Sequence, residues 1–155
     1  MPIDVPQRDR CAFCNNIASL NQFVVVEELE QSLAFLPARQ HGTGHVLVIP
    51  RRHAPTLIDL DSAEAAAIMQ QVHRVARAIA KAYDPAGLNV FQNNGVTAGQ
   101  TVPHYHVHIV PSYAGDPAGR IFRAEEFERR PHEELLTIAE KVRAQLEPAG
   151  LAERR

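Results

Sequence analysis

Apolar positions fall in short runs before residue 50 and after residue 87, with one long helical register between them. Residues 23–27 are β-branched and apolar, and residues 32–36 form a second short apolar run, the pattern of two strands joined as a hairpin. After a turn at Gly42 to Gly44, residues 45–49 make an apolar run that stops at Pro50, as a buried strand does. Ile68, Met69, Val72, Val75, Ala76, Ile79 and Tyr83 then recur at helical spacing. Asp61, with Glu64 three residues on, predicts a capping box at the start of that helix, and Asp84-Pro85-Ala86-Gly87 predicts its end. Residues 88–92 read as a strand, 93–100 as a polar loop, and 101–110 as a long strand closed by Pro111. Leu135, Leu136, Ile138, Ala139, Val142 and Leu146 predict a last helix over 132–146, whereas 112–130 has no period and is expected to be irregular. Strands grouped without βαβ alternation predict an α+β fold with an antiparallel sheet. No repeat or Pro/Gly-rich linker divides the chain, so residues 1–155 are expected to form one domain.

Composition narrows the function classes. With 45% apolar and 22% charged residues the chain is of ordinary globular type, and a net charge of −2 argues against a nucleic-acid groove or an anionic membrane surface. An anionic ligand must therefore be caught locally. Asp4, Arg8, Asp9, Arg10, Glu27 and Glu28 interrupt the N-terminal stretch, which excludes a signal peptide there, and no apolar run spans a bilayer. The expectation is a cytoplasmic protein whose two cysteines, Cys11 and Cys14, stay reduced and available to a metal. Eight histidines is the unusual count.

Three of them carry the chemistry. In His104-Tyr105-His106-Val107-His108-Ile109-Val110, alternate residues of a strand would place three imidazoles on one face and an apolar set on the other. Neighbouring histidines would stand roughly 7 Å apart and the outer two roughly 13 Å, too far for all three to ligate one metal on a straight strand. They must divide the work. Three unrelated, individually satisfied histidines are the bland alternative, and a metal-dependent hydrolase built on His-x-His is another; no carboxylate follows nearby to complete such a site. The pair Cys11 and Cys14 by itself is compatible with a redox motif, half a metal site or chance. A thioredoxin-like motif would open a helix after a strand, and the position of this pair near the start of the sequence favours metal.

The run Gly99-Gln100-Thr101-Val102-Pro103-His104-Tyr105-His106-Val107-His108-Ile109-Val110-Pro111 resembles the signature of the histidine triad (HIT) family. Gly44-His45-Val46-Leu47-Val48-Ile49-Pro50-Arg51-Arg52-His53 is similar to the family's earlier block. The Cys11-Ala12-Phe13-Cys14 segment, the helix after Asp61 and Leu88-Asn89-Val90-Phe91-Gln92-Asn93-Asn94-Gly95 follow in the family's order. The similarity thus covers roughly residues 11–113 and leaves 114–155 as an extension with a helix.

The resemblance implies an antiparallel sheet of about five strands with two main helices, and a hydrolase of nucleotide-like substrates. It assigns His106 as the nucleophile, forming a phosphohistidine intermediate that water cleaves, with His108 and His45 completing the catalytic set. It places Asn93, the Thr101 hydroxyl, His108 and the backbone amides of Gly99, Gln100 and Thr101 around the phosphate. It implies structural zinc on Cys11, Cys14, His53 and His104, the cysteine pair being a feature of some bacterial-type branches. It also implies a two-fold homodimer, for which an open sheet edge gives a physical reason. Nucleoside phosphoramidates or nucleotides are the expected substrates; a dinucleoside polyphosphate hydrolase and a slowly turning nucleotide sensor are the alternatives. One departure stands out. Where many nucleotide-binding relatives carry an acid or amide for the ribose, this chain reads Ala34-Phe35-Leu36-Pro37-Ala38, which leaves the substrate's sugar and base open. His73 and His132 read as surface residues, His41 is undecided, and Arg120-Ile121-Phe122-Arg123 with Glu125, Glu126 and Glu128 reads as solvated.

Overall fold

The computed structural model describes residues 3–7, 11–19, 23–117 and 127–148. In chain order these hold α1 (Ala12–Ser19), β1 (Val24–Glu28), β2 (Ser32–Leu36), β3 (Arg39–Gln40), β4 (Val46–Pro50), α2 (Ser62–Tyr83), β5 (Gly87–Phe91), β6 (Val107–Ser112), β7 (Glu128–Arg129) and α3 (His132–Arg143). Five strands pair antiparallel in the order β1-β2-β4-β6-β5, and β3 pairs with β7 in a separate two-stranded ribbon. The fold is α+β with an antiparallel sheet, as the sequence pattern predicts.

Strand alternation sorts the side chains into two cores. Val24, Val26, Ala34, Leu36, Val46, Val48, Val107 and Ile109 face Ile68, Val72, Val75 and Ile79 of α2 and Leu135, Ile138 and Val142 of α3. The alternate residues Leu33, Phe35, Leu47 and Ile49 point to the opposite face, where Phe13 and Ile17 of α1 cover them. Strands β2 and β4 are thus buried on both faces, which explains their unbroken apolar runs. The histidines lie on the face away from α2 and α3. His108 stands opposite Leu47 on β4 and Phe91 on β5.

The long helix begins and ends where the local chemistry requires. The Asp61 carboxylate accepts from Glu64 N at 2.8 Å, and the Glu64 carboxylate accepts from Asp61 N at 3.0 Å. Asp84 ends the helix in the left-handed region at φ 45°.

Three features differ from expectation. The segment 101–106 is not part of the strand: β6 starts only at Val107. Pro103 has no N–H to offer a ladder, and the chain is held there instead by Tyr105 N donating to Ala54 O at 2.6 Å. Beyond Ile109 the β4 partner has ended, so β6 runs through Pro111 to Ser112, paired with β5 alone. The second feature is α1, which the hydrophobic pattern did not predict. The third is β7, a short strand inside the supposedly irregular 112–130 stretch. Arg120 to Arg123, Glu125 and Glu126 lie outside the described residues; Glu128 is exposed on β7, as expected.

Candidate active site and metal centre

Extended chain from 104 to 108 keeps the two-residue alternation even though only part of it pairs. Tyr105, Val107 and Ile109 enter the helix-side core, so His104, His106 and His108 project the other way. The rings of His106 and His108 come to 5.0 Å between centroids. His45, immediately before β4, stacks on His108 at 5.2 Å and 21°. Phe91 stacks on the opposite side of His108 at 4.5 Å and 3°, so His108 is clamped between two rings.

Backbone contacts dictate the tautomers. The carbonyl of His104 can only accept, so His106 Nδ1, 2.6 Å away, carries the proton and Nε2 holds the lone pair. His41 N donates to His45 Nδ1 at 3.3 Å, which leaves the His45 proton on Nε2. That proton is donated to His108 Nδ1 at 3.0 Å, so the His108 proton sits on Nε2. The cluster therefore offers one acceptor nitrogen, on His106, beside one donor, on His108.

The cluster is also neutral. Burial, reinforced by His41 and His106, lowers His45 to about 3. Burial, with His106 and His45 beside it, lowers His108 to about 2. Burial lowers His106 below the ordinary imidazole value, opposed by its hydrogen bond to the His104 carbonyl.

These three histidines line a cavity of about 450 Å³ with Phe13, Leu47 and Thr101, a size that suits a small organic ligand. Thr101 is exposed on its wall. Asn93 is half-buried, and its side-chain amide lies against Gly99, where an added Cβ would stand 3.4 Å from Nδ2. Gln100 turns away: its Oε1 accepts from Gly95 N at 2.7 Å, and its Nε2 donates to Pro55 O and Val102 O. The amides of Gly99 and Gln100 donate to Val96 O and Gly95 O, so both are committed to the turn. Gly95 is itself required there, at φ 90° with Asp4 O 2.9 Å from the position of a Cβ. Sequence reasoning missed Phe13, Phe91 and Phe127. Phe13 sits edge-on to His106 at 5.6 Å, and Phe127 meets His41, His45 and His108 at 5.0–6.3 Å. Phe13 and Phe91 lie within blocks singled out for other residues, and Phe127 had no local signal.

On the other side of the His104 peptide lies a second cluster. Cys11 caps α1, with Cys14 N donating to its Sγ at 3.5 Å, so both thiols point from the first turn towards His53 and His104. The cysteine pair thus does open a helix, so its position does not separate a metal site from a redox motif; the surrounding histidines do. Sγ of Cys11 is 3.4 Å from His104 Nδ1, and Sγ of Cys14 is 3.3 Å from His53 Nδ1 and 3.5 Å from His104 Nδ1. All four donor atoms lie within 4.8 Å of one another. A tetrahedral zinc with ordinary bond lengths would separate sulfur and nitrogen ligands by about 3.6 Å, so the set fits. His104 Nε2 donates to Pro50 O at 2.9 Å, presenting Nδ1 to the cluster. Burial, and then Cys11, raise the Cys14 thiol to about 11, so in the metal-free state it is no reactive nucleophile.

An open antiparallel sheet with a neutral histidine cluster on one face and a Cys2His2 cluster beside it defines a class of protein, and comparison with known proteins gives the family. The HIT domain model matches residues 19–115. Protein hit of Bacillus subtilis is 37% identical over 139 residues, covering 89% of this chain and 95% of that protein. In Schizosaccharomyces pombe, adenosine 5'-monophosphoramidase hnt1 is 40% identical over 65% of this chain and 73% of its own length. The asymmetrical bis(5'-nucleosyl)-tetraphosphatase of the same yeast is 42% identical over 55% and 47%. A Hit-like protein of Bartonella henselae superposes with a TM-score of 0.79 at 30% identity, covering 90% of this chain and 98% of the other. A zinc-bound histidine triad family protein of Mycobacterium smegmatis does so with 0.74 at 32%, covering 87% and 91%. The chain belongs to the HIT family.

The buried, neutral His45 makes a prediction about stability. Its folded pKa lies below the unfolded value near 6.5, so its contribution is complete above that pH. As pH falls towards 3 the unfolded chain takes up a proton that the folded chain refuses, and stability declines. Urea unfolding from pH 7.5 to 4.5 should show His45→Asn with a shallower decline than the unsubstituted protein, the difference in slope approaching one proton, or about 1.4 kcal/mol per pH unit, at the acid end. Parallel pH curves would contradict the neutral assignment.

Proposed function

We propose that the protein is a nucleotide hydrolase, with nucleoside phosphoramidates or nucleotides as substrates, that works through a covalent intermediate on His106. The observation that carries this is the tautomer set: a lone pair on His106 Nε2 beside a proton on His108 Nε2, at the floor of one cavity. Relatives named as a phosphoramidase and a nucleosyl tetraphosphatase support hydrolase chemistry.

In the first step His106 Nε2 attacks phosphorus, forming a nitrogen–phosphorus bond, and the leaving group departs with the bonding pair. It leaves as an amine from a nitrogen-protonated phosphoramidate, or as a phosphate anion from an anhydride. In the second step water attacks phosphorus, the histidine recovers its lone pair, and the water proton passes to solvent. The His104 carbonyl holds the Nδ1 proton throughout and stabilises the positive ring of the intermediate. Neutral His108 is a poor acid and serves as a hydrogen-bond donor to a phosphoryl oxygen, with His45 fixing its orientation. The Thr101 hydroxyl and the Asn93 amide are the further donors; with the Gly99 and Gln100 amides occupied, Gln100 acts by holding the loop.

Cys11, Cys14, His53 and His104 would hold zinc, which with four protein ligands has no open position and supplies structure rather than activated water. The two free thiols suit a reducing cytoplasm. For assembly, β5 is the open edge: it exposes Leu88 and Val90 on one face, whereas β1 is interrupted by a bulge and its Val25 carbonyl accepts from Arg143. A two-fold pair across β5 follows.

Three experiments test this. Protein mixed with an adenosine 5'-phosphoramidate and quenched in alkali should carry one nucleoside monophosphate on His106 by intact mass and peptide mapping. His106→Ala should lose the adduct and about 10³-fold or more in kcat/KM. Nucleotide binding without any adduct or turnover would make the protein a sensor instead. Metal analysis should find one zinc per chain, lost in Cys11→Ser; unchanged zinc in that variant would overturn the proposed ligand set. Sedimentation should find a two-chain species that Val90→Lys converts to monomer, and a monomer in the unsubstituted protein would dismiss the β5 pairing.

A further inference from the structure

The cavity has a charged rim that the reaction at His106 does not use. Arg39 of β3 and Arg129 of β7 are cross-strand partners in the two-stranded ribbon, and both side chains line the cavity that holds His45, His106 and His108. Residues directly opposite in an antiparallel pair stand about 5 Å apart, and like charges placed there are unfavourable unless something anionic lies between them. Nothing on the ribbon supplies that anion. Arg51, Arg52, Arg74, Arg77 and Arg130 each pair with a carboxylate, but among the described residues neither Arg39 nor Arg129 does. Glu128, the one acid on the ribbon, lies 3.7 Å from Arg130. Arg39 Nε donates to Phe127 O at 3.1 Å, which holds the guanidinium at the rim with its terminal nitrogens unspent. The adjoining wall is Pro37 and Ala38, which have no polar side-chain group to recognise a sugar hydroxyl. In a chain of net charge −2, two cations that face one cavity without a carboxylate partner among the described residues are a local device and not a general surplus.

We propose that the β3–β7 ribbon binds a second phosphate of the substrate, distinct from the phosphorus that His106 attacks, so that the preferred ligand is a nucleotide carrying more than one phosphate. This rests on the nucleotide-hydrolase reading and adds the substrate class. The second phosphate could belong to the 5' chain or to the ribose 3' position, and both present the same oxygens to a pair of guanidinium groups.

Calorimetric binding to the full chain carrying His106→Asn removes turnover and separates the two claims. ADP or adenosine 3',5'-bisphosphate should bind about tenfold tighter than AMP, and whichever does so locates the phosphate. That advantage should shrink to about twofold or less in Arg129→Glu and in Arg39→Gln/Arg129→Gln. Apart from its backbone pairing with Arg39, Arg129 has no side-chain hydrogen bond or ion pair among the described residues, so its reversal removes no side-chain bond that holds the fold. Equal affinities for the three ligands, or an advantage that survives Arg129→Glu, would overturn the ribbon proposal and leave the hydrolase reading intact. Failure of all three to bind would overturn both.

Discussion

The hydrogen bond from His106 Nδ1 to the His104 carbonyl is the joint on which the site turns. It is a contact between residues two apart in one extended segment, so the backbone that positions His104 also sets the proton on His106. His104 is fixed in turn by Pro50 O on one ring nitrogen and by the two thiols on the other. Anything that holds Cys11 and Cys14 therefore bears on His106 through a single peptide group. Phe13, between the two cysteines and edge-on to both rings, adds a second path of packing. A metal in that cluster would then bear on the geometry of His106 without touching it.

The second constraint is desolvation. Three imidazoles in one buried group would repel if charged, and their burial removes the water that would stabilise the charges. The low pKa values are a consequence of packing against Phe91, Leu47 and Phe127, not of any one partner. A neutral cluster has a cost, since each ring must find a partner for both nitrogens. The relay from His41 N through His45 to His108 meets that cost in series, one donor and one acceptor at a time. It ends on a proton that faces the cavity.

Much of this was legible in the sequence because the signals were local. The hairpin of β1 and β2, the capping box at Asp61 and Glu64 and the left-handed stop at Asp84 each depend on residues within a few positions. The alternation at His104, His106 and His108 is also local, and it survives although the strand around His104 and His106 does not form. What could not be read was non-local. Phe91 and Phe127 become part of the cluster only because β5 and β7 arrive beside it. The loop after Asn93 looked like a row of phosphate amides, but two of them are spent on its own turn, and Gln100 is drawn inward by Pro55 O from another segment. Helix α1 is short, and what holds it is the contact of Phe13 and Ile17 with the sheet.

The β3–β7 ribbon stands apart from the histidine cluster in how it is built. His45, His106 and His108 sit on central strands and their lead-ins, between the two cores. The ribbon instead joins the turn after β2 to a segment just before α3, and it contributes Arg39, Phe127 and Arg129 to the mouth of the same cavity. Phe127 packs against His45, so the ribbon is seated on the histidine cluster and not loosely beside it. Changes to the ribbon's charges alter what the mouth attracts while the tautomers at the floor stay as the central strands set them. The histidine cluster and the charged rim are thus carried by different elements, which meet at the Phe127 ring.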